Sequence, residues 1–328
     1  MSNKVNNIEA LRMALHDAFA ADDKVILFGE DVADAEGGGV FGVTKGLSTK
    51  FGSSRVRSTP ISEQAIIGAG VGAAISGFRP VTEIMLMNFT TIAMDMLVNH
   101  AAKLRYMSGG QTNVPMTVRT LTGAGVGIAG QHSDYLEAWF AHVPGIKVVT
   151  YSSPADAYGL LLSSIFDDDP VLFIENNPSY FETGTAPVRG EFIPLGKANV
   201  LREGRDISIV SYGAMINRVI QAVTMLEEHN ISVEVIDLRT IAPYDRETVL
   251  TSARKTGRLL VVHEAVRQFG VGAEIAADVA EHAHASLKAP VQRIGSAFSA
   301  VPFSHPLEQA YMPSADTIAD KVKQVLNV

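Results

Sequence analysis

The 328-residue sequence contains no cysteine, which excludes a disulfide framework, a thiolate zinc site, an iron–sulfur cluster and a cysteine nucleophile. Positive charge is in deficit, with 27 Lys and Arg against 35 Asp and Glu and a formal net charge of −8. That balance offers no general attraction for phosphate backbones or anionic membrane surfaces, so neither nucleic acid nor a membrane is an expected partner. Long hydrophobic runs are missing too: the most apolar stretch, Ala65 to Phe78, is glycine-rich and about half a bilayer-spanning length, and reads as a buried helix. The start of the chain, as far as Lys24, lacks the uninterrupted apolar core of a signal peptide and carries acids that a transit peptide avoids. A cytoplasmic location is expected. The sequence also has no G-x-S-x-G elbow, no G-x-x-x-x-G-K-[ST] loop, no H-E-x-x-H pair and no EF-hand loop.

What is present is ample core material, 47% apolar and 19% charged residues, in a length that suits two domains at about 100–200 residues each. Ile8, Leu11, Leu15 and Phe19 keep helical spacing, and Lys24 to Phe28 is a short apolar run that stops at Gly29. Similar runs occur at Arg79–Glu83, Pro115–Thr120, Ile146–Thr150 and Pro170–Ile174, separated by helical patterns and Gly-bearing turns. Apolar strands alternating with helices predict an α/β fold with a parallel sheet covered on both faces. The pattern lapses over Asn177–Asp206, and the αβ rhythm resumes with strands at Asp206–Tyr212, Ile231–Asp237 and Arg258–His263. A first domain over 1–190 and a second over 200–328 are expected.

Few residues stand out as chemistry. Glu63, in Thr59-Pro-Ile-Ser-Glu63, follows a plausible N-cap at Thr59 and a favoured first helical residue at Pro60. It either complements a helix dipole or, held among Ile61, Ile66 and Ile67, is a desolvated carboxyl able to share a proton with a buried ligand nitrogen. His132 begins a predicted helix over Gln131–Phe140 and is either a proton-exchanging imidazole or a structural histidine. Gly125-Val-Gly127-Ile-Ala-Gly130 matches a dinucleotide fingerprint, although no acidic residue for a ribose ends the next strand. His282 and His284 point to different faces of a predicted helix and make a poor metal pair, and Asp167, Asp168 and Asp169 read as a solvated acidic turn.

Taken together, Gly29-Glu-Asp-Val32, Thr59-Pro-Ile-Ser-Glu63, Asn99-His-Ala-Ala-Lys103, Tyr106-Met-Ser-Gly-Gly110, Gln131-His-Ser133, Pro144-Gly145, Ile236-Asp-Leu-Arg-Thr240 and Gly272-Ala-Glu-Ile275 resemble the beta subunit of thiamine-diphosphate-dependent 2-oxo acid dehydrogenases, the pyruvate, branched-chain and acetoin family. The resemblance runs in order from about Ile8 to the C-terminus. It implies a pyrimidine-binding domain, a parallel sheet flanked by helices, followed by a transketolase C-terminal-like α/β domain. In this family the cofactor's diphosphate and magnesium are held by a Gly-Asp-Gly motif, which is absent here. The resemblance therefore implies an alpha subunit that supplies magnesium ligands in an α2β2 heterotetramer, with a 2-oxo acid as substrate and a lipoyl-bearing acyltransferase as further partner.

The resemblance also assigns roles. Glu63 matches the glutamate that contacts the aminopyrimidine ring and drives the tautomer that deprotonates the thiazolium carbon. Met85 and Phe89 match residues that pack on the pyrimidine, and His132 matches a histidine linked to acyl transfer to lipoamide. Met116, Ser164, Ile165, Asp167 and Asp169 match positions whose oxygens, mainly backbone carbonyls, enclose a structural potassium ion. Three positions depart from the family pattern: Ser58 where Asp is common, Tyr158 where Lys is frequent, and Asp134 where Gln follows His-Ser. A carboxylate so near His132 leaves open a carboligase or transketolase-like enzyme on the same subunits, and a nucleotide-binding module or a scaffold stands outside that class.

Overall fold

The computed structural model describes residues 4–328. In chain order these form β1 (Lys4–Asn6), α1 (Asn7–Ala21), β2 (Val25–Gly29), α2 (Leu47–Phe51), β3 (Val56–Ser58), α3 (Glu63–Ile75), β4 (Arg79–Leu86), α4 (Leu104–Met107) and β5 (Thr117–Thr122). There follow α5 (Gly130–Ser133), α6 (Glu137–Ala141), β6 (Lys147–Thr150), α7 (Pro154–Ile165), β7 (Val171–Asn176) and β8 (Thr183–Thr185). The remainder is β9 (Asn199–Arg202), β10 (Ile207–Ser211), α8 (Met215–Glu227), β11 (Val233–Asp237), β12 (Thr240–Ala242), α9 (Arg246–Thr256), β13 (Leu259–Val266), α10 (Val271–Ala283), β14 (Gln292–Ser296), α11 (His305–Tyr311) and α12 (Ala315–Leu326). No helix among the described residues is long and apolar enough to cross a membrane.

Two compact units emerge. The first comprises the chain up to Thr122 with Trp139–Leu195, and the second Gly123–Ala138 with Gly196–Val328. The boundary between Leu195 and Gly196 falls within the expected interval of 190–200, and the segment between β5 and α6, which carries His132, groups by its contacts with the second unit. Local pattern does not show this, because membership is set by tertiary contacts.

In the first unit the strands run β6–β7–β5–β4–β2–β3, each parallel to its neighbour. Every residue of β5 and β7 is buried, as expected where helices cover both faces of a parallel sheet. Helix α1 starts at a capping box, in which the Asn6 side chain accepts from the Glu9 N–H and the Glu9 carboxylate from the Asn6 N–H. Its apolar stripe, Ile8, Leu11, Leu15 and Phe19, is buried against α7. Helix α3 begins at Glu63, later than the Thr59-Pro60 signal predicts. The Thr59 N–H still donates to the Gly29 carbonyl at 2.8 Å, so the chain is tied to β2 at the point where a helix would have to begin. Two family departures also sit in structural links: Tyr158 donates to Asp17 at 2.7 Å, and Ser58 donates to Glu36 at 2.9 Å.

In the second unit the order is β14–β13–β10–β11–β9, parallel except for the antiparallel edge strand β9. That edge comes from the stretch where the sequence pattern lapses. Helices α8 and α12 bury Ile216, Val219, Leu226, Ile318 and Val322 in this unit's core. The helix predicted over Gln131–Phe140 is two short pieces, because the backbone turns extended at Asp134. His282 lies in the last turn of α10 with its Nδ1 3.0 Å from the Asp278 carboxylate.

Candidate functional site

Parallel α/β sheets expose their loops at the carboxyl ends of the strands, which is where such folds bind ligands. Glu63 reaches that edge because it follows β3 and opens α3. It is 5% exposed, and among the described residues none donates a hydrogen bond to its carboxylate. Ile66 and Ile67, one turn further, are buried, but Ile61 is 81% exposed and does not wall the carboxyl as its spacing predicts. With no protein donor, the carboxylate is left for solvent or a bound group to meet.

Two further carboxyls share this edge. Glu30, just past β2, is raised above its ordinary value by partial burial and then by the charges of Glu63, Asp31 and Glu83. Glu83, in β4, is raised by burial against the opposing charge of Arg119. Arg119 is fully buried in β5, donating from Nη1 to Glu83 at 2.5 Å and from Nε and Nη2 to Glu175 at 2.7 and 2.9 Å. The Tyr180 hydroxyl donates to the same Glu175 carboxylate. Sequence reasoning missed this network. Its signal was an arginine in the middle of an otherwise uncharged strand, since a cation buried there needs carboxylates as partners. Met85, near the end of β4, and Phe89, just beyond it, are partly buried against the first unit's core, so Glu63, Met85 and Phe89 all belong to this unit. A carboxyl with no protein donor, in the same unit as the apolar side chains of Met85 and Phe89, suits a heteroaromatic ring that carries a protonatable nitrogen.

The expected potassium positions also lie in the first unit. Ser164 and Ile165 end α7, Asp167 and Asp169 form the turn into β7, and the Met116 carbonyl accepts from the Val171 N–H at 2.9 Å. The acidic turn is not simply solvated, as its composition predicts. Lys147 contacts the Asp167 carboxylate at 2.6 and 2.7 Å, Arg105 contacts Asp169 at 2.5 Å, and Arg79 donates to the Asp167 carbonyl at 3.0 Å. Against partial burial, Arg105 and Lys147 hold the Asp169 carboxyl below its ordinary value. Several main-chain oxygens here also accept hydrogen bonds, Met116 from the Val171 N–H, Ser164 from the Asp167 N–H and Asp167 from Arg79. Among the described residues no group of three or more His, Asp or Glu side chains is gathered as a metal would need.

His132 lies in α5, in the second unit, and is partly buried. The glycine turn before it does not have the form of a dinucleotide site. The Gly125 N–H donates to the Glu308 carboxylate at 2.6 Å and the Gly127 N–H at 3.1 Å, while the Ala124 N–H donates to Glu264 at 2.7 Å. The amides that would cradle a pyrophosphate hold the protein's own carboxylates, which overturns the nucleotide-binding expectation. Beyond His132, Glu137 is fully buried and accepts from the Tyr212 hydroxyl at 2.7 Å, and burial pushes its carboxyl up to about 8. His263, also buried, is pushed down to about 4 by the same cause.

Residues 3–182 match the family described as transketolase, pyrimidine binding domain, and residues 196–318 match transketolase, C-terminal domain. The acetoin:2,6-dichlorophenolindophenol oxidoreductase subunit beta of Cupriavidus necator is 42% identical over 99% of this chain and 98% of its own length. A pyruvate dehydrogenase E1 component subunit beta of Staphylococcus epidermidis is 43% identical over 97% and 98%, and the mitochondrial subunit beta-1 of Oryza sativa 44% over 96% and 85%. Among solved structures, a split-gene transketolase described as an inactive beta4 tetramer aligns with a TM-score of 0.77 over 98% of both chains at 21% identity. A transketolase from Pichia stipitis aligns at 0.72 over 99% of this chain and 46% of its own, at 16% identity; both are likenesses of fold. With relatives matched along nearly their whole length and both domain families present, the chain belongs to the beta subunits of thiamine-diphosphate-dependent 2-oxo acid dehydrogenases, the pyruvate and acetoin dehydrogenase family.

Proposed function

We propose that this chain, with an alpha subunit in an α2β2 heterotetramer, oxidatively decarboxylates a 2-oxo acid and passes the acyl group to a lipoyl group on a partner acyltransferase. The observation that carries this reading is Glu63, a buried carboxylate with no donor among the described residues, at the ligand-binding edge of the sheet. Bound thiamine diphosphate supplies the nucleophilic carbon that the reaction needs. The Glu63 carboxylate exchanges a proton with a nitrogen of the aminopyrimidine ring, and Met85 and Phe89 flank that ring and keep water from it. The sequence has no Gly-Asp-Gly motif, so the magnesium and diphosphate contacts are assigned to the alpha subunit. His132 delivers the proton that the leaving lipoyl sulfur takes up as the acyl group moves across. A structural potassium ion would rest on the main-chain oxygens of Met116, Ser164, Ile165, Asp167 and Asp169, the first of which meets the turn at Val171.

The test uses the chain assembled with an alpha subunit that carries Gly-Asp-Gly. Carbon dioxide release is followed with an artificial electron acceptor, and acylation with an isolated lipoyl domain. Both activities are expected from the parent, and His132→Ala is expected to lose acylation by at least tenfold more than decarboxylation, within the roughly 10²–10⁴-fold range of proton-transfer catalysis. Equal losses would place His132 before carbon–carbon cleavage. Release of carbon dioxide with an aldehyde as acyl acceptor and no lipoyl acylation would identify a carboligase instead, the outcome to which Asp134 beside His132 draws attention.

A further inference from the structure

The turn that carries His132 is held in an unusual way. Gly123, Gly125 and Gly127 all have left-handed backbones, with φ of 116°, 113° and 73°, and such glycines turn successive N–H groups inward to form an anion-binding nest. The anion is built in. Glu308, fully buried in α11, takes the Gly125 and Gly127 N–H groups, and Glu264, at β13, takes that of Ala124. Charge-assisted bonds from main-chain amides to a buried carboxylate are stronger than neutral ones. The turn is also backed by the chain ahead of α11, where a Cβ on Gly130 would lie 3.2 Å from the Ala300 Cβ. Between nest and imidazole stands Ala129, at φ 64° and ψ −176°. That region is essentially reserved for glycine, and a non-glycine residue persists there only where the surroundings over-determine it.

We propose that Glu308, with Glu264, is a positioning residue for His132: its carboxylate fills the glycine turn and thereby fixes the imidazole five residues beyond Gly127. The inference rests on the acyl-transfer reading of His132. Glu308 touches no reacting atom. It replaces, with a side chain of this protein, the phosphate that a turn of this shape would otherwise invite, so the fingerprint has a positioning role in place of a binding one.

The test is made on the assembled heterotetramer with E308Q, H132A and the double variant. The amide of E308Q turns one acceptor oxygen into a donor facing the turn, so hydrogen exchange of the peptide spanning 123–133 is expected to quicken while peptides from α12 stay as in the parent. Lipoyl acylation is expected to fall by between about ten- and a hundredfold, the scale of an ångström-sized misplacement, with decarboxylation falling less. The double variant is expected to be no slower in acylation than H132A alone, because Glu308 acts through that imidazole. Should E308Q fail to fold, E308D keeps the charge but shortens the reach by one methylene, and is expected to show the same pattern at smaller size. Unchanged exchange over 123–133, or losses that multiply in the double variant, would overturn the positioning role. Parent-like acylation by H132A would overturn the reading of His132 itself, and the single variants tell these failures apart.

Discussion

At the residue scale, burial decides what an ionisable group does, and Glu137 shows it most directly. Its carboxyl is fully buried against the Tyr212 hydroxyl and is pushed from an ordinary 4.5 up to about 8. Between those values the folded protein keeps a proton that the unfolded chain has released. The group's contribution to stability therefore falls as pH rises through the window and levels off above it, a change of about 5 kcal/mol. Glu137→Gln stays neutral at every pH and keeps an acceptor for Tyr212. The parent's melting temperature is expected to drop between pH 6 and 9, and that of Glu137→Gln to drop clearly less; parallel curves would contradict the assignment. His263 acts in the opposite sense, losing stability as pH falls from 6.5 towards about 4, and so leaves this comparison largely undisturbed. Glu63 stands out in the sequence as an acid beside a helix signal, but that pattern leaves a dipole partner and a ligand-facing carboxyl both open, and only the family resemblance chooses between them. Arg119 and Glu308 were not singled out, because their partners lie far along the chain: Glu83 and Glu175 for one, Gly125 and Gly127 for the other.

At the scale of elements, the sequence is readable wherever local pattern and tertiary environment agree. The apolar runs appear as strands within a few residues of their predicted places, and the stripe of α1 is buried as its spacing requires. Disagreement shows at the start of α3, where the Thr59 N–H is bonded to Gly29, at the break after α5, where the backbone is extended at Asp134, and at the short strands β1, β8, β9 and β12. The turn from α7 to β7 offers a test at this scale. If the main-chain oxygens of Met116, Ser164, Ile165, Asp167 and Asp169 hold potassium, the ion ties the end of α7 to the start of β7 and binds only the folded form, which stabilises by mass action. Melting in potassium is then expected to exceed melting in equal tetramethylammonium by roughly 2–4 °C, the shift that about 1 kcal/mol produces in a domain of this size. Coincident curves would leave Lys147, Arg105 and Arg79 as the only cations of that turn.

At the scale of the whole molecule, each unit contributes a different part of the proposed chemistry. The first holds Glu63 with Met85 and Phe89, and the second holds the His132 turn. That division was only partly visible beforehand, since the inserted segment Gly123–Ala138 sits in the second unit although it leaves and re-enters the first in sequence. The absence of Gly-Asp-Gly, by contrast, is plain in the sequence and places the demand for a partner at this scale. The central claim is that Glu63 activates thiamine diphosphate in the assembled enzyme. Exchange of the thiazolium carbon proton for deuterium, followed in the heterotetramer by rapid quench and proton NMR, tests it most directly. The account expects Glu63→Gln, which keeps size and polarity but cannot relay the proton, to slow exchange by about 10²-fold or more with the assembly intact. Exchange at the parent rate would contradict it and leave Glu63 as an acid that serves only the start of α3.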